Sequence, residues 1–94
     1  MRVYGEGLIN GRMTDNELFD IITENVKRER KKRSVSQLKL ALILGHQSAS
    51  YVARIELRQG DVNYNLSHLL KIADEFEIEL CDLIPSTKCQ TPQP

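Results

Sequence analysis

The stretch Ser36 to Glu56, SQLKLALILGHQSASYVARIE, decides how the rest of the chain is read. Leu40, Ala41 and Leu44 recur at helical spacing after Ser36, a residue type that caps helix starts. Gly45 then stops the helix after about nine residues, because glycine tolerates the left-handed conformation that a helix end requires. Ser48 caps a second short helix that runs to about Arg58, with Val52 and Ile55 turned inward. Its opening is polar, with Gln47, Ser48 and Ser50, and Arg54 projects from the same side as Ser50 one turn later.

Working outward, TDNELFDIITENVKRERKKR begins with Thr14 and has Glu17 three residues later, the spacing of a capping box. Leu18, Ile21, Ile22 and Val26 lie at helical spacing, giving a long first helix over 14–33 with acids at its start and bases at its end. Beyond the central stretch, QGDVNYN is turn chemistry and Asn65 caps a fourth helix, LSHLLKIADEFE. Leu66, Leu69, Leu70, Ile72, Ala73 and Phe76 form its apolar stripe and are expected in the core. A short fifth helix, ELCDLIP, is expected before Pro85. Five helices and no alternating strand pattern predict an all-α bundle. The expected organisation is an N-terminal arm over 1–13, one domain over 14–85 and a flexible polar tail over 86–94.

Composition agrees with one modest core. The chain has 94 residues, with five aromatic residues and no Trp, so Leu, Ile, Val and Ala must supply the packing. Cys81 and Cys89, taken with His46 and His68, match no metal-ligand spacing, so no metal or cofactor is expected. No segment approaches the ~20 apolar residues of a membrane span, and the N-terminus lacks a signal-like apolar run. A cytoplasmic protein is the expectation. No enzyme is expected either: there is no Gly-rich phosphate loop, and Asp74, Glu75, Glu77, Glu79 and Asp82 follow a helix surface as solvated charge.

A net charge of zero conceals a strong asymmetry. Residues 1–25 carry two basic and five acidic groups, residues 26–60 nine and two, and residues 61–94 two and six, for net charges of −3, +7 and −4. The densest run, Lys27 to Arg33 (KRERKKR), holds six basic groups in seven positions. Such a distribution suits contact with a polyanion, and equally a solvated helix face.

Ser36-Gln37, Leu40-Ala41, Leu44-Gly45, Ser50-Tyr51-Val52, Arg54-Ile55-Glu56 and LLKIADEFEIELCDLI together resemble the phage-repressor/Cro-type (XRE) helix-turn-helix family, over about Ile22 to Ile84. The resemblance implies a lambda-repressor-like fold and a sequence-specific, dimeric regulator of transcription, acting as a repressor at a double-stranded DNA operator. Its recognition helix, about 48–58, would lie in the major groove, where a first turn of short polar side chains meets base edges. The family pattern puts Ala49, Ser50 and Arg54 at base-contacting positions with Tyr51 beside them, and Gln37 at the DNA backbone. Gln47, Ser48 and Arg58 complete the expected contact set, Ser48 mainly as a helix cap. Arg30 and Glu56 match a structural ion pair between the first helix and the end of the recognition helix.

Three departures from the pattern matter. Two residues, His46 and Gln47, stand between Gly45 and Ser48 where one apolar residue is usual. The glycine that normally follows Glu56 is delayed to Gly60, which extends the expected recognition helix and gives Arg58 a phosphate-facing place. Glu29 stands where an apolar residue is frequent. Dimerisation is expected through Ile78, Leu80, Leu83 and Ile84, although these residues serve equally to close the monomer core. Leu38 and Leu42 are an apolar i, i+4 pair at positions the family leaves polar, suited to a partner protein or to covering the first helix. Two alternatives follow: the antitoxin of a toxin–antitoxin pair, and a protein–protein adaptor.

Overall fold

A computed structural model describes residues 13–86 of the chain. The arm expected over 1–13 and the tail over 86–94 therefore lie, apart from Met13 and Ser86, outside the described residues. The described part is all-helical, with four α-helices and no strand: α1 (Asp15–Lys32), α2 (Gln37–Ile43), α3 (Ala49–Glu56) and α4 (Leu66–Phe76). The expected fifth helix is a single 3-10 turn, Leu80–Asp82. Its brevity follows from the sequence, since Pro85 cannot donate into a longer helix and only Glu79–Asp82 provide a local cap.

Each α-helix begins on a side-chain cap. Thr14 Oγ1 accepts from Glu17 N at 3.2 Å while Glu17 Oε1 accepts from Thr14 N at 2.9 Å, completing the box. Ser36 accepts from Lys39 N, Ser48 from Ser50 N, and Asn65 from His68 N. These bonds satisfy donors that have no partner inside the helix.

The helix ends are also alike. After α2, His46 N donates to Ala41 O and Gly45 N to Leu42 O, with Gly45 at φ +90°, which is a Schellman turn. The same pair of bonds closes α1, α3 and α4, but there the left-handed residue is Ser34, Arg58 or Glu77. The delayed glycine therefore does not lengthen α3. The helix stops at Glu56, two residues short of the expected Arg58, and Arg58 itself takes the left-handed position.

Ile22, Val26, Leu40, Ala41, Leu44, Val52, Ile55, Tyr64, Leu69, Ile72, Ala73, Phe76 and Leu83 form one core. α2 and α3 pack most extensively against each other, with α1 and α4 behind them. Leu83 is wholly buried, and Asn25 Nδ2 donates to its carbonyl at 2.9 Å, so the C-terminal turn is tied to α1. Leu83 thus closes the monomer core and offers no side chain to a partner. The α4 stripe is only partly core: Leu69, Ile72, Ala73 and Phe76 are buried, but Leu66 and Leu70 are 72% and 60% exposed. These two lie on the flank of the stripe, at the end of α4 nearest Asn65, where less of the fold covers them.

Candidate functional site

The outward face of α3 follows from helical geometry. At about 100° per residue, Ser50 and Arg54 fall about 40° apart, while Val52, Ile55 and Glu56 occupy the opposite side. Burial agrees, since Val52, Ile55 and Glu56 are buried whereas Ser50 and Arg54 are exposed. Among the described residues Arg54 makes no ion pair and no side-chain hydrogen bond. Gln47 and Ser48 are also exposed at the entrance to α3, and Ala49 is half-buried. The Ser48 and Ser50 hydroxyls share a 2.9 Å hydrogen bond, so the cap and the first turn form one polar unit.

Behind α3 lies a buried ionic network. Arg30 Nε donates to Glu56 Oε2 at 2.8 Å and Arg30 Nη2 to Glu56 Oε1 at 2.9 Å, a two-pronged pairing of planar groups. Arg30 Nη1 donates to Val35 O, and Gln37 Nε2 donates to Glu56 Oε1 at 2.9 Å. One carboxylate therefore joins α1, the start of α2 and the end of α3. Gln37 is held by its amide nitrogen, since a carboxylate only accepts, and is half-buried. Tyr64 lies near this pair, and burial, followed by the Glu56 charge, pushes its phenol well above the usual tyrosine range.

Two further expected site residues, Arg58 and Tyr51, have partners within the chain. Arg58 turns away from the α3 face: its Nε donates to Asp20 Oδ1 at 2.6 Å and its Nη1 to Asn63 Oδ1, clamping the loop after α3 to α1. Those bonds also account for an arginine in the left-handed position that glycine ordinarily fills. Tyr51 faces sideways, stacked on His46 with ring centroids 3.7 Å apart and planes 11° apart. Both side chains are half-buried.

The basic run divides as well. Glu29, buried in α1, receives Arg33 Nη1 at 2.7 Å and Lys32 Nζ at 3.3 Å, with Arg28 at 3.9 Å. The Arg33 guanidinium beside Glu29 holds that carboxyl below the usual range against the opposing effect of burial. Arg33 also lies over the Phe76 ring at 4.8 Å and donates to Phe76 O. The buried Glu29 is thus accommodated by cations from its own helix. No sequence signal marked this cluster beyond the i, i+4 spacing of Glu29 and Arg33.

Among the described residues no group of three or more His, Cys, Asp or Glu is placed to hold a metal ion, and no helix is long and apolar enough to cross a membrane. No protein-family model and no curated protein matches the chain. The fold is similar to the crystal structure of the hypothetical transcription factor NHTF from Neisseria, with a TM-score of 0.61 and 22% identity over 79% of this chain and 82% of that one. At that identity the likeness is one of fold alone.

Proposed function

We propose that the chain is a sequence-specific double-stranded DNA-binding regulator of transcription, a repressor of the lambda-repressor-like, XRE type, with 14–85 as its DNA-binding unit. The observation that carries the reading is the outward face of α3, where Ser50 and an unpaired Arg54 stand opposite a fully packed face. α3 enters the major groove, its first turn leading. Arg54 then gives a two-pronged contact to guanine O6 and N7, Ser50 donates or accepts at a base edge, and Ala49 touches a thymine methyl. Gln47 and Ser48 flank the phosphates, as does the free part of the Gln37 amide. Tyr51 and Arg58 take no direct contact in this reading. The network of Arg30, Glu56 and Gln37 fixes the angle of α3 against α2, which is what groove readout requires.

Two copies would set two α3 helices on half-sites about 34 Å apart, since one module spans few base pairs. A protein partner, including a toxin, is the second reading, favoured by Leu38 and Leu42, which are 47% and 53% exposed on α2. The test is selection from a randomised duplex pool, then anisotropy titration of the selected and a scrambled duplex at two salt concentrations. A selected sequence that outlasts the scrambled one at raised salt is expected. Arg54→Ala should lose about 1–3 kcal/mol of that preference. Equal binding of both duplexes that vanishes together with salt would overturn the reading.

A further inference from the structure

Four rings from separate parts of the chain meet at the base of α3. His46, from the turn, lies flat on Tyr51 of α3; His68 of α4 meets them edge-on at 5.9 and 5.8 Å; Tyr64, from the loop before α4, closes the group at 6.3 Å from His68. Tyr51 belongs to the first turn of α3, next to Ser50, so the stack couples the turn to the part of α3 assigned to base contact. Otherwise this entrance is held by the Ser48 cap and the Gly45 turn. His46 is one of the two residues that stand between Gly45 and Ser48, and its ring stacks on Tyr51.

His68 props the stack in a defined protonation state. It is buried, and its Nδ1 accepts the backbone N–H of Asn65 at 3.3 Å, so a neutral ring carries its proton on Nε2. A second proton would turn that acceptor into a donor and break the capping box of α4. Resting on the DNA-reading function above, we propose that the His46–Tyr51 stack, propped by neutral His68, positions the first turn of α3, and that protonating His68 loosens it and weakens specific DNA binding.

The surroundings set the direction of the effect. Burial holds His68 below the usual histidine range, and the charges that bear on it, His46 from the turn and Lys71 from its own helix, oppose a proton too. Tyr51 from α3, Tyr64 from the loop and the Asn65 cap present neutral groups. A base whose folded-state value is lowered leaves the unfolded chain holding more protons. The propped state is therefore fully stable above the ordinary histidine value and is lost as pH falls below it.

The test begins without DNA. In NMR spectra of the free chain between pH 7.5 and 5, the ring-shifted His46 and Tyr51 signals and the Ala49–Tyr51 amides should move with the titration of His68. In His46→Phe the Tyr51 signals and the Ala49–Tyr51 amides should still follow His68, and in His46→Phe with His68→Gln, whose side-chain oxygen can still accept from Asn65 without titrating, they should not move. On the duplex selected by the wild-type chain at pH 7.5, His46→Ala should bind about three- to tenfold more weakly, the range that one aromatic pair carries. His46→Phe should restore binding by keeping a flat ring on Tyr51. Amides of α3 that ignore the His68 titration, or a His46→Ala chain that binds as wild type does, would overturn the proposal. If the wild-type chain selects no duplex, the regulator reading falls instead, and the NMR titration decides the positioning claim alone.

Discussion

Removing the Glu56 carboxylate is the sharpest test of how α3 is held. The side chains of Arg30 and Glu56 are only 9% and 4% exposed, so solvent offers little screening. Glu56 accepts from Arg30 Nε, Arg30 Nη2 and Gln37 Nε2, and Glu56→Ala leaves all three donors without that partner. An uncompensated buried guanidinium dominates the cost, about 3–5 kcal/mol. A domain of this size has on the order of 5–10 kcal/mol in total, so the variant should be barely folded. Glu56→Gln, which keeps the shape, should remain measurable, and Arg30→Met with Glu56→Met should recover much of the loss because neither leaves a charge behind. Urea unfolding at pH 7, followed by far-UV circular dichroism, gives the four corners of a double-mutant cycle for the Met variants. Coupling of about 2 kcal/mol or more is expected. Coupling under about 0.5 kcal/mol would mean that the pair is incidental and that apolar packing alone sets the α3 angle.

The remaining predictions concern the helix ends and the Glu29 cluster. Gly45→Ala should cost about 1 kcal/mol in urea unfolding, because the new Cβ meets no atom within 4 Å and the strain at φ +90° is the whole penalty. Glu77→Gly should stabilise by about 0.5–1 kcal/mol, since an exposed Glu occupies the left-handed position at φ +58° and glycine fits there without that strain. Glu29 has a lowered folded-state value, so its contribution is present above the ordinary glutamate value and is lost as pH falls below it. Between pH 5 and 3 the urea midpoint should accordingly fall further for wild type than for Glu29→Gln; parallel falls would refute the assigned role.

Helix starts were legible in the sequence because their chemistry is local. Thr14, Ser36, Ser48 and Asn65 each carry an oxygen that reaches a backbone N–H two or three residues on, and each is a cap in the structure. Helix ends were legible only at Gly45. Ser34, Arg58 and Glu77 stop their helices in a conformation that costs most residues energy, and for Arg58 the compensation comes from Asp20 and Asn63, the first of them 38 positions away. Leu66 and Leu70 misled for a related reason: periodicity gives a stripe, but the width of the neighbouring helices decides how much of it is covered. The ring cluster left no pattern at all, because His46, Tyr51, Tyr64 and His68 meet only once α4 has packed against α2.

The fate of the basic residues changes the meaning of the +7 middle third. Glu29 gathers Arg28, Lys32 and Arg33, Glu56 takes Arg30, and Asp20 takes Arg58. Of the nine basic residues in 26–60, Lys27, Lys31, Lys39 and Arg54 remain without an ion pair or side-chain hydrogen bond among the described residues. The run is therefore in part a folding device, binding α1 to itself, to α3 and to the Phe76 end of α4, while Arg28 and Lys32 keep 59% and 61% of their side chains exposed. Glu29, Glu56 and Asp20 offset only three of those nine positive charges, so a non-specific electrostatic share, visible as salt dependence, remains. Charge of that kind attracts any duplex alike, so under the proposed function discrimination falls to what α3 presents, where Arg54 is exposed. The network of Arg30, Glu56 and Gln37 then has a clear consequence: it holds at a fixed angle a helix whose outward side chains, Ser50 and Arg54, contribute nothing to the core.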